Sequence, residues 1–311
     1  MHRAFWLTGA LCVALVVGYL LAAVVAPGST SAVRPTASAS TPVPSAQQAS
    51  PTVSASPPNR RPRGAALAPG LRGLAKDATI VSLTFDDGSA SQYSAFEVMR
   101  SHRMNGTFYI NTAMVGSSAY YMTWPQVADL AAAGHEIGGH TLHHVNLTGT
   151  DPDKERSEVC DDRQGLVAAR LGSLSFAYPE GGLDAHAEKV VRSCGYLDAR
   201  LTGGLWYSGC DSCPAAETIP PADPYAIRTA PPVSTATTLA DLQASVTTAE
   251  AYGGGWVPMV FHGICDGHCT AENSLSPKVF KAFVDWLALR ATKGTVVRTV
   301  AQVVTGASPS G

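Results

Sequence analysis

The chain has 311 residues, 45% of them hydrophobic and 15% charged, with a formal net charge of -2 at pH 7. This length is sufficient for one large hydrophobic core. Binding to nucleic acid is not expected, because the sequence has no basic stretch that would meet the phosphates.

The first residues form an apolar stretch. Between Ala4 and Val25 the sequence carries no charge and is rich in large apolar side chains. This run is long for the core of a signal peptide and about long enough to span a bilayer as a helix. Cleavage stays open as an alternative, because Val24-Val-Ala26 suits a signal peptidase. We predict that residues 1–26 are a signal peptide or a single-pass membrane anchor, and that the rest of the chain is extracytoplasmic, either secreted or tethered.

Residues 27–70 are dominated by Pro, Ser, Thr and Ala. Such a segment cannot bury enough apolar surface to offset the entropy cost of ordering it. We therefore predict a disordered, semi-extended linker, followed by a folded domain over residues 71–311.

The domain contains six cysteines, Cys160, Cys194, Cys210, Cys213, Cys265 and Cys269. Six cysteines in an exported domain suggest up to three disulfides. We favour two local pairs, Cys210 with Cys213 and Cys265 with Cys269, so that the remaining two cysteines form the third. A zinc site built on the Cys210/Cys213 pair is the alternative, which an oxidising compartment disfavours.

Beyond residue 71 the sequence alternates short apolar runs with helical segments. The runs that predict strands are Thr79–Phe85, Gly106–Asn111, Glu136–His140, Ser175–Tyr178, Tyr196–Leu201, Val257–His262 and Thr295–Thr299. The segments that predict helices are Tyr93–His102, one capped at Thr123 and ended by Gly134, Pro152–Leu171, Ala185–Ser193 and one after Ser276. Repeated strand–helix units with near-continuous apolar strands indicate a parallel sheet buried on both faces. We predict an α/β fold, a distorted (β/α) barrel of about seven units.

Polar residues stand at the carboxyl ends of these predicted strands. Asp86 and Asp87 follow the first strand, and His140 and His144 are four residues apart, which we expect to be one turn of helix. His262 ends a late strand, and the carboxyl ends of barrel strands meet at one edge. A carboxylate and two histidines make a three-ligand metal site with open positions, and a neighbouring carboxylate can accept a proton from water. The pattern predicts metal-assisted hydrolysis.

Three short motifs carry a family resemblance. They are Thr84-Phe-Asp-Asp-Gly88, His140-Thr-Leu-His-His144 and Met259-Val-Phe-His262, in this order along the chain. Together they resemble the first, second and late motifs of the NodB-like polysaccharide deacetylases, carbohydrate esterase family four. The resemblance extends from about Ile80 to Val303. It implies a NodB-like barrel and a hydrolase of carbon–nitrogen, non-peptide bonds that removes acetyl groups from a polysaccharide.

The resemblance also implies a role for each matched residue. Asp87, His140 and His144 would bind a divalent cation, which is zinc in most members of the family. Asp86 would be the general base that takes a proton from water. His262 would be the general acid that protonates the leaving amine.

The third motif departs from the family pattern. Many members have an arginine there that holds the base aspartate, but in Phe176-Ala-Tyr-Pro-Glu-Gly-Gly182 the position is Ala177. A Phe-Ala-Tyr-Pro version occurs in branches of the family. Pro179 and the N–H of Glu180 are expected to shape the site and contact the oxyanion. Arg228 is our candidate for the missing cation, and the family's fourth motif has no convincing match.

Other histidines and aromatic residues belong to no motif. We expect four histidines to be surface or packing residues, His102, His135, His143 and His268. Four large aromatic residues have two interpretations, stacking on sugar rings or partial burial in the core, namely Trp124, Trp206, Tyr207 and Trp256. The loop from Cys265 to Cys269 is predicted to be a stapled rim that positions His262.

The predicted protein is a monomeric, metal-dependent deacetylase acting on acetylated amino-sugar polymers of a cell wall or an extracellular glycan. It would meet a membrane only through its N-terminal segment. Two alternatives stay open. One is a non-catalytic glycan-binding module on the same barrel, which Ala177 and the unmatched fourth motif favour. The other is a deacylase of O-acetyl esters or of another carbon–nitrogen bond.

Overall fold

The computed structural model describes residues 74–172, 174–266 and 273–306, all of which belong to one unit of the chain. The predicted N-terminal apolar helix, the linker over 27–70, His268 and Cys269 lie outside the described residues. The boundary at residue 71 and the Cys265–Cys269 pairing therefore stay predictions. Among the described residues, no helix combines the length and the apolar character that crossing a bilayer requires.

Strands and helices alternate through the described residues. The strands are β1 (Thr79–Phe85), β2 (Thr107–Ile110), β3 (Glu136–Gly139), β4 (Ser175–Ala177), β5 (Asp198–Gly204), β6 (Ile227–Thr229), β7 (Gly255–Phe261), β8 (Gly263–Ile264), β9 (Ser274–Leu275) and β10 (Thr295–Val297). The helices are α1 (Tyr93–Ser101), α2 (Trp124–Ala132), α3 (Pro152–Ala168), α4 (Ala185–Ser193), α5 (Leu239–Ala251), α6 (Pro277–Arg290) and α7 (Val300–Val304).

The main sheet is parallel throughout and curls into a barrel. β7 pairs with one edge of β1 over its whole length, while β10 and β2 share the other edge, and β3, β4, β5 and β6 follow in order. After β6, the N–H groups of Ala230 and Val233 donate to the carbonyls of Pro258 and Val260 in β7, at 2.8 and 2.9 Å. Two hydrogen bonds from a loop, rather than a ladder between β6 and β7, thus bring the two ends of the sheet together. The predicted distorted (β/α) barrel is confirmed.

The two faces of the sheet differ because successive side chains of a strand point to opposite sides. On β1, Leu83 and Phe85 are fully buried and pack outward in a hydrophobic cluster with residues of α1, α2, α5 and α6. The alternate residues Ser82 and Thr84, and Asp86 beyond them, point into the barrel. Helices therefore cover an apolar outer face, whereas polar side chains lie on the inner face.

Some elements were not predicted from the sequence. β6 has only three residues, one of which is Arg228, so it contains no apolar run that would predict a strand. For α5 a signal was present, because Thr238 and Asp241 form a capping box at its start. α7 follows β10 directly and packs Val300 and Val303 against the bottom of the barrel.

Two of the three predicted disulfides lie wholly within the described residues, and both are confirmed. Cys160 of α3 is joined to Cys194, the C-cap residue that follows α4. Cys210 is joined to Cys213. The alternative zinc site on the latter pair is wrong, because both sulfur atoms are used in the disulfide.

Candidate metal centre

β1 ends in two carboxylates that face different surroundings. The N–H of Asp86 donates to the carbonyl of Phe261 at 2.9 Å, so that this residue still continues the strand pairing. Asp87 has a φ of 72°, in the left-handed region that non-glycine residues seldom adopt. The change of backbone direction leaves Asp86 pointing into the barrel and turns Asp87 toward the loop that follows β3.

Two histidines lie on the segment after β3, residues 140–144, which we call the histidine segment. The expectation that they occupy one turn of helix is wrong, because the segment is irregular. Thr141 and His144 have φ values of 66° and 59°. These two left-handed residues redirect the chain, and the ring centroids of His140 and His144 come within 4.9 Å without a helix.

Three side chains offer ligand atoms to one point. The Nε2 atoms of His140 and His144 lie 3.5 and 3.3 Å from Oδ1 of Asp87, and the three ligand atoms are all within 4.8 Å of one another. Nδ1 of His140 is 2.8 Å from the carbonyl oxygen of Ala177. Because a carbonyl only accepts, Nδ1 carries the proton and Nε2 turns its lone pair to the site.

The donor set fits a divalent cation. Oδ1 of Asp87 is buried and has no hydrogen-bond partner among the described residues. An unpartnered carboxylate oxygen between two imidazole nitrogens is the arrangement that a bound cation would satisfy. One carboxylate and two histidines suit zinc and leave coordination positions for water or substrate.

The protonation states favour the same conclusion. Burial would raise the pKa of Asp87, but its contacts with His140, and the charges of His262 and His144, outweigh burial and lower the pKa to about 2. Burial and the neighbouring His140 lower the pKa of His144. An ionised carboxylate and a neutral imidazole are the forms that bind metal.

His262 follows β7 at the same end of the barrel. Burial lowers the pKa of its imidazole to about 4; the Asp87 carboxylate opposes this shift, and the Arg200 cation adds to it. Nδ1 of His262 is buried and has no hydrogen-bond partner among the described residues. The imidazole is therefore neutral at pH 7 and free to exchange a proton with a bound molecule.

Asp86 is held by an arginine that the sequence analysis missed. Arg200 of β5 is completely buried and forms a salt bridge with Oδ1 of Asp86. Its strand position is the register partner of Ala177 in β4. Register partners in parallel strands point to the same face, so the cation that the third motif lacks comes from the neighbouring strand. An arginine inside the predicted strand Tyr196–Leu201 was the available signal.

Arg228 does not replace the missing cation, which corrects our expectation. Its Nε and Nη2 atoms donate to the two carboxylate oxygens of Glu217, each at 2.8 Å. Arg228 lies on β6, beyond β5, and both carboxylate oxygens of the buried Glu217 pair with one edge of its guanidinium. Sequence proximity to a strand end could not show which of two arginines faces Asp86.

Pro179 and Glu180 follow β4 in a short turn beside the histidine segment. Pro179 is buried, and Glu180 has a φ of 57°. Oε2 of Glu180 accepts a hydrogen bond from Nδ2 of Asn146 at 2.9 Å. The turn lies close enough to His144 for the Glu180 charge to influence its pKa. The oxyanion contact of the Glu180 N–H stays a prediction.

The remaining aromatic residues and histidines divide by burial. Trp256 is fully buried and its indole N–H donates to Oγ of Ser82, so that it is a core residue. Trp206 and Tyr207 line a cavity of about 200 Å³. His102 pairs with Asp285 near the surface, His143 pairs with Glu158 and His135 is packed in the core, as expected for residues outside the motifs.

Comparison with known proteins finds similarity over part of the chain. Residues 74–198 match the family model described as polysaccharide deacetylase. Through this segment, the chain is similar to the polysaccharide deacetylases. The match contains the first two motifs and the Ala177 turn, and it ends just before Arg200.

Two curated relatives are named as peptidoglycan deacetylases. The peptidoglycan-N-acetylglucosamine deacetylase of Bacillus cereus is 25% identical over 119 residues, covering 38% of this chain and 54% of the relative. The peptidoglycan-N-acetylmuramic acid deacetylase PdaA of Bacillus subtilis is 28% identical over 129 residues, covering 40% of this chain and 46% of the relative. The chain thus spans about half of the length of these relatives.

A solved structure from Mycobacterium smegmatis, named for the same family, extends the likeness beyond the matched segment. It aligns over 78% of this chain and 94% of its own, with a TM-score of 0.54 and 16% sequence identity. At this identity the comparison shows the fold alone. The likeness of fold therefore extends beyond the segment that the family model matches.

Proposed function

We propose that this protein is a metal-dependent hydrolase that removes N-acetyl groups from an amino-sugar polysaccharide outside the cytoplasm. The observation that carries the proposal is the convergence of Asp87, His140 and His144 on one point at the carboxyl end of the barrel. The Asp86–Arg200 pair lies beside this point. A polysaccharide deacetylase needs a cation site and a separate base, and these residues would supply both.

Asp87 and the two histidines would hold the cation, which we propose to be zinc. A cation at this position would supply Lewis acidity, making a water molecule more acidic and an acetyl carbonyl more electrophilic. Asp86 would accept the proton of the attacking water. Arg200 fixes the direction of the Asp86 carboxylate, because the two side chains form a buried salt bridge.

His262 would give the proton to the leaving amine. Amide cleavage requires this proton, since an amide anion is too poor a leaving group to depart unprotonated. Because burial lowers its pKa to about 4, His262 is neutral at pH 7 and has to receive a proton during the reaction. Asp86, which takes one from water, is a source at the same site. Pro179 and the N–H of Glu180 would border the acetyl oxygen.

The surroundings support a cell-wall or other extracellular substrate. Two disulfides in one domain are typical of proteins outside the cytoplasm. The two relatives described above are named as peptidoglycan deacetylases. An N-terminal anchor or signal peptide, a linker and a catalytic domain would place the active site within reach of such a polymer.

The test is acetate release from acetylated amino-sugar polymers by the full chain. We expect activity that a chelator removes and zinc or cobalt restores. Asp86→Asn should lower kcat by about 10²–10⁴-fold while cobalt still binds, because a general base contributes that much. Asp87→Asn should lose cobalt binding as well, and Asp129→Asn, at an exposed carboxylate, should behave as the wild type.

Three outcomes would contradict the proposal. Activity in metal-free protein would remove the cation from the mechanism. Tight binding of the polymer without acetate release would favour the non-catalytic glycan-binding alternative. Faster release from O-acetyl esters or from another amide would assign the same site to a different deacylase.

A further inference from the structure

The histidine segment is attached to α3 through its backbone. The N–H of His140 donates to Oδ2 of Asp162 at 3.2 Å. The N–H of Leu142 donates to the carbonyl of Glu158 at 3.0 Å, and the N–H of His143 donates to Oε2 of the same glutamate at 2.9 Å. Three of the five backbone N–H groups of the histidine segment therefore donate to two residues of α3, Glu158 and Asp162.

The face of α3 that these contacts use is acidic rather than apolar. Glu155, Glu158 and Asp162 are spaced by three and four residues, so that they share one face of the helix. They are 1%, 5% and 0% exposed, respectively. Carboxylates are seldom buried unless their oxygens are fully engaged. A buried acidic face is thus costly, and packing against the sheet does not explain it.

Asp162 has all of its acceptor positions in use. Oδ1 accepts from the N–H and the hydroxyl of Thr112 at 3.1 and 2.7 Å. Oδ2 accepts from the N–H of His140 and from the hydroxyl of Tyr196, each at 3.2 Å. An amide side chain could not satisfy these donors, because one end of it is itself a donor. The carboxylate joins the loops after β2 and β3 to α3.

Glu158 holds the middle of the histidine segment. Its Oε2 accepts from the backbone of His143, and its Oε1 lies 2.9 Å from Nδ1 of the same residue. From the barrel side, Nδ2 of Asn111 donates to the carbonyls of His140 and Thr141. The left-handed conformations at Thr141 and His144 are therefore imposed by contacts on both sides of the segment.

We propose that Asp162 and Glu158 are positioning residues of the metal site, which fix the direction of His140 and His144 and thereby set the affinity for the cation. This inference rests on the metal site of the proposed function. Neither residue forms a hydrogen bond or ion pair with Asp87 in the described part of the chain. Their action is on backbone geometry, where a shift of the segment would move both imidazoles away from Asp87 together.

The experiment measures cobalt affinity of the full chain by competition with a chelator, together with the visible absorption of bound cobalt. Asp162→Asn and Glu158→Gln should each weaken cobalt binding about 10–100-fold, the usual effect of losing a residue that orients a ligand. Their cobalt spectra should also change, because the ligand directions change. Glu155→Gln is the matched control.

The control has the same chemistry without the contact. Glu155 is equally buried on the same face of α3, but it pairs with His186 rather than with the histidine segment. We expect Glu155→Gln to lower the melting temperature while changing cobalt affinity less than about 3-fold and leaving the spectrum unchanged. Circular dichroism confirms folding for each variant before the titration.

The outcomes separate this inference from the proposed function. If the wild type binds neither cobalt nor zinc, the positioning role and the proposed metal-dependent function are both overturned. If the wild type binds and the folded Asp162→Asn and Glu158→Gln variants bind equally well, only the positioning role is overturned. Equal weakening by Glu155→Gln would also overturn it, since general loosening of α3 would then suffice. Should Asp162→Asn not fold, Glu158→Gln decides alone, because the backbone contact to Leu142 remains in that variant.

Discussion

The outer and inner faces of the barrel use the same strands in opposite ways. On the outer face, the Phe85 ring stacks 4.6 Å from Phe108 and 5.4 Å from Phe261, among the aliphatic side chains of the helices. On the inner face, one residue further along, Asp86 meets Arg200. Both faces are fully buried. The comparison shows that burial alone does not identify the stabilising residues, because one face is buried among apolar groups and the other among paired charges.

The inner face forms a continuous polar column. The guanidinium of Arg200 lies 4.7 Å from the ring centroid of Tyr109, whose hydroxyl is 2.7 Å from Oγ of Ser175. That oxygen is 2.6 Å from Oδ1 of Asp198. Gly138 lets the Tyr109 ring pass, since a Cβ there would come within 2.4 Å of it. Each polar group fixes the next, and the column ends at the candidate base.

Loss of the inner cation should have the largest effect. In Arg200→Met, Asp86 is left buried without its partner, which costs about 3–5 kcal/mol of stability. Because the base loses its fixed direction, we expect kcat to fall about 10²-fold even at temperatures where the variant is folded. Cobalt affinity should stay close to the wild type. Calorimetry, acetate release and cobalt titration measure the three quantities.

The matched control is Arg228→Met, which breaks the pair with Glu217 instead. It should lower stability but leave kcat unchanged. If kcat fell equally in Arg200→Met and Arg228→Met, Arg200 would have no special role, and Arg228 would again be a candidate for supporting the base.

On the outer face, truncation should affect stability alone. Leu83 is completely buried in β1, and Leu83→Ala should lower the free energy of unfolding by about 2–5 kcal/mol, through lost apolar contacts and the cavity left behind. Activity per folded molecule should be unchanged, which chemical denaturation and kinetics below the transition would show. Leu289→Ala, at a residue that is 73% exposed, should change stability by less than about 0.5 kcal/mol.

The apolar outer side of the sheet also buries one titratable residue, His135, which should make the stability of the protein depend on pH. His135 is 5% exposed with its ring edge-on to Phe96 and Phe108, and burial lowers its pKa from 6.5 to about 4. Between these values the unfolded chain binds more protons, so stability falls as pH is lowered through this window. At pH 5 the loss is on the order of 2 kcal/mol.

The check compares urea unfolding of wild type and His135→Asn between pH 7 and 4.5. The variant should lose less stability over this range, because the group that must charge on unfolding is gone. His102→Gln, at a partly exposed histidine, should keep the steep wild-type dependence. A variant curve parallel to that of the wild type would mean that other buried groups produce the acid sensitivity.

The sequence allowed the barrel and the meeting of the metal-site residues to be predicted because both depend on local patterns. Apolar runs separated by helical segments specify parallel strand–helix units, and polar residues at carboxyl ends of strands meet at one edge in any such barrel. The helical conformation expected for His140 and His144 failed for a physical reason. A spacing of four is compatible with several backbones, and contacts with α3 and Asn111 select an irregular one.

What the sequence determined by itself is therefore the list of residues at the strand ends and the order in which they occur. Only the tertiary structure decided which arginine faces Asp86, because the answer depends on the register that places Arg200 beside Ala177. It also decided the purpose of the polar helix α3. Glu158 and Asp162 belong to no sequence motif, and only the folded structure brings them into contact with the histidine segment. The two aspartates and the two histidines can each be recognised from a short motif. The residues that hold these side chains in place, Arg200, Glu158 and Asp162, belong to no motif and come together with them only in the folded protein.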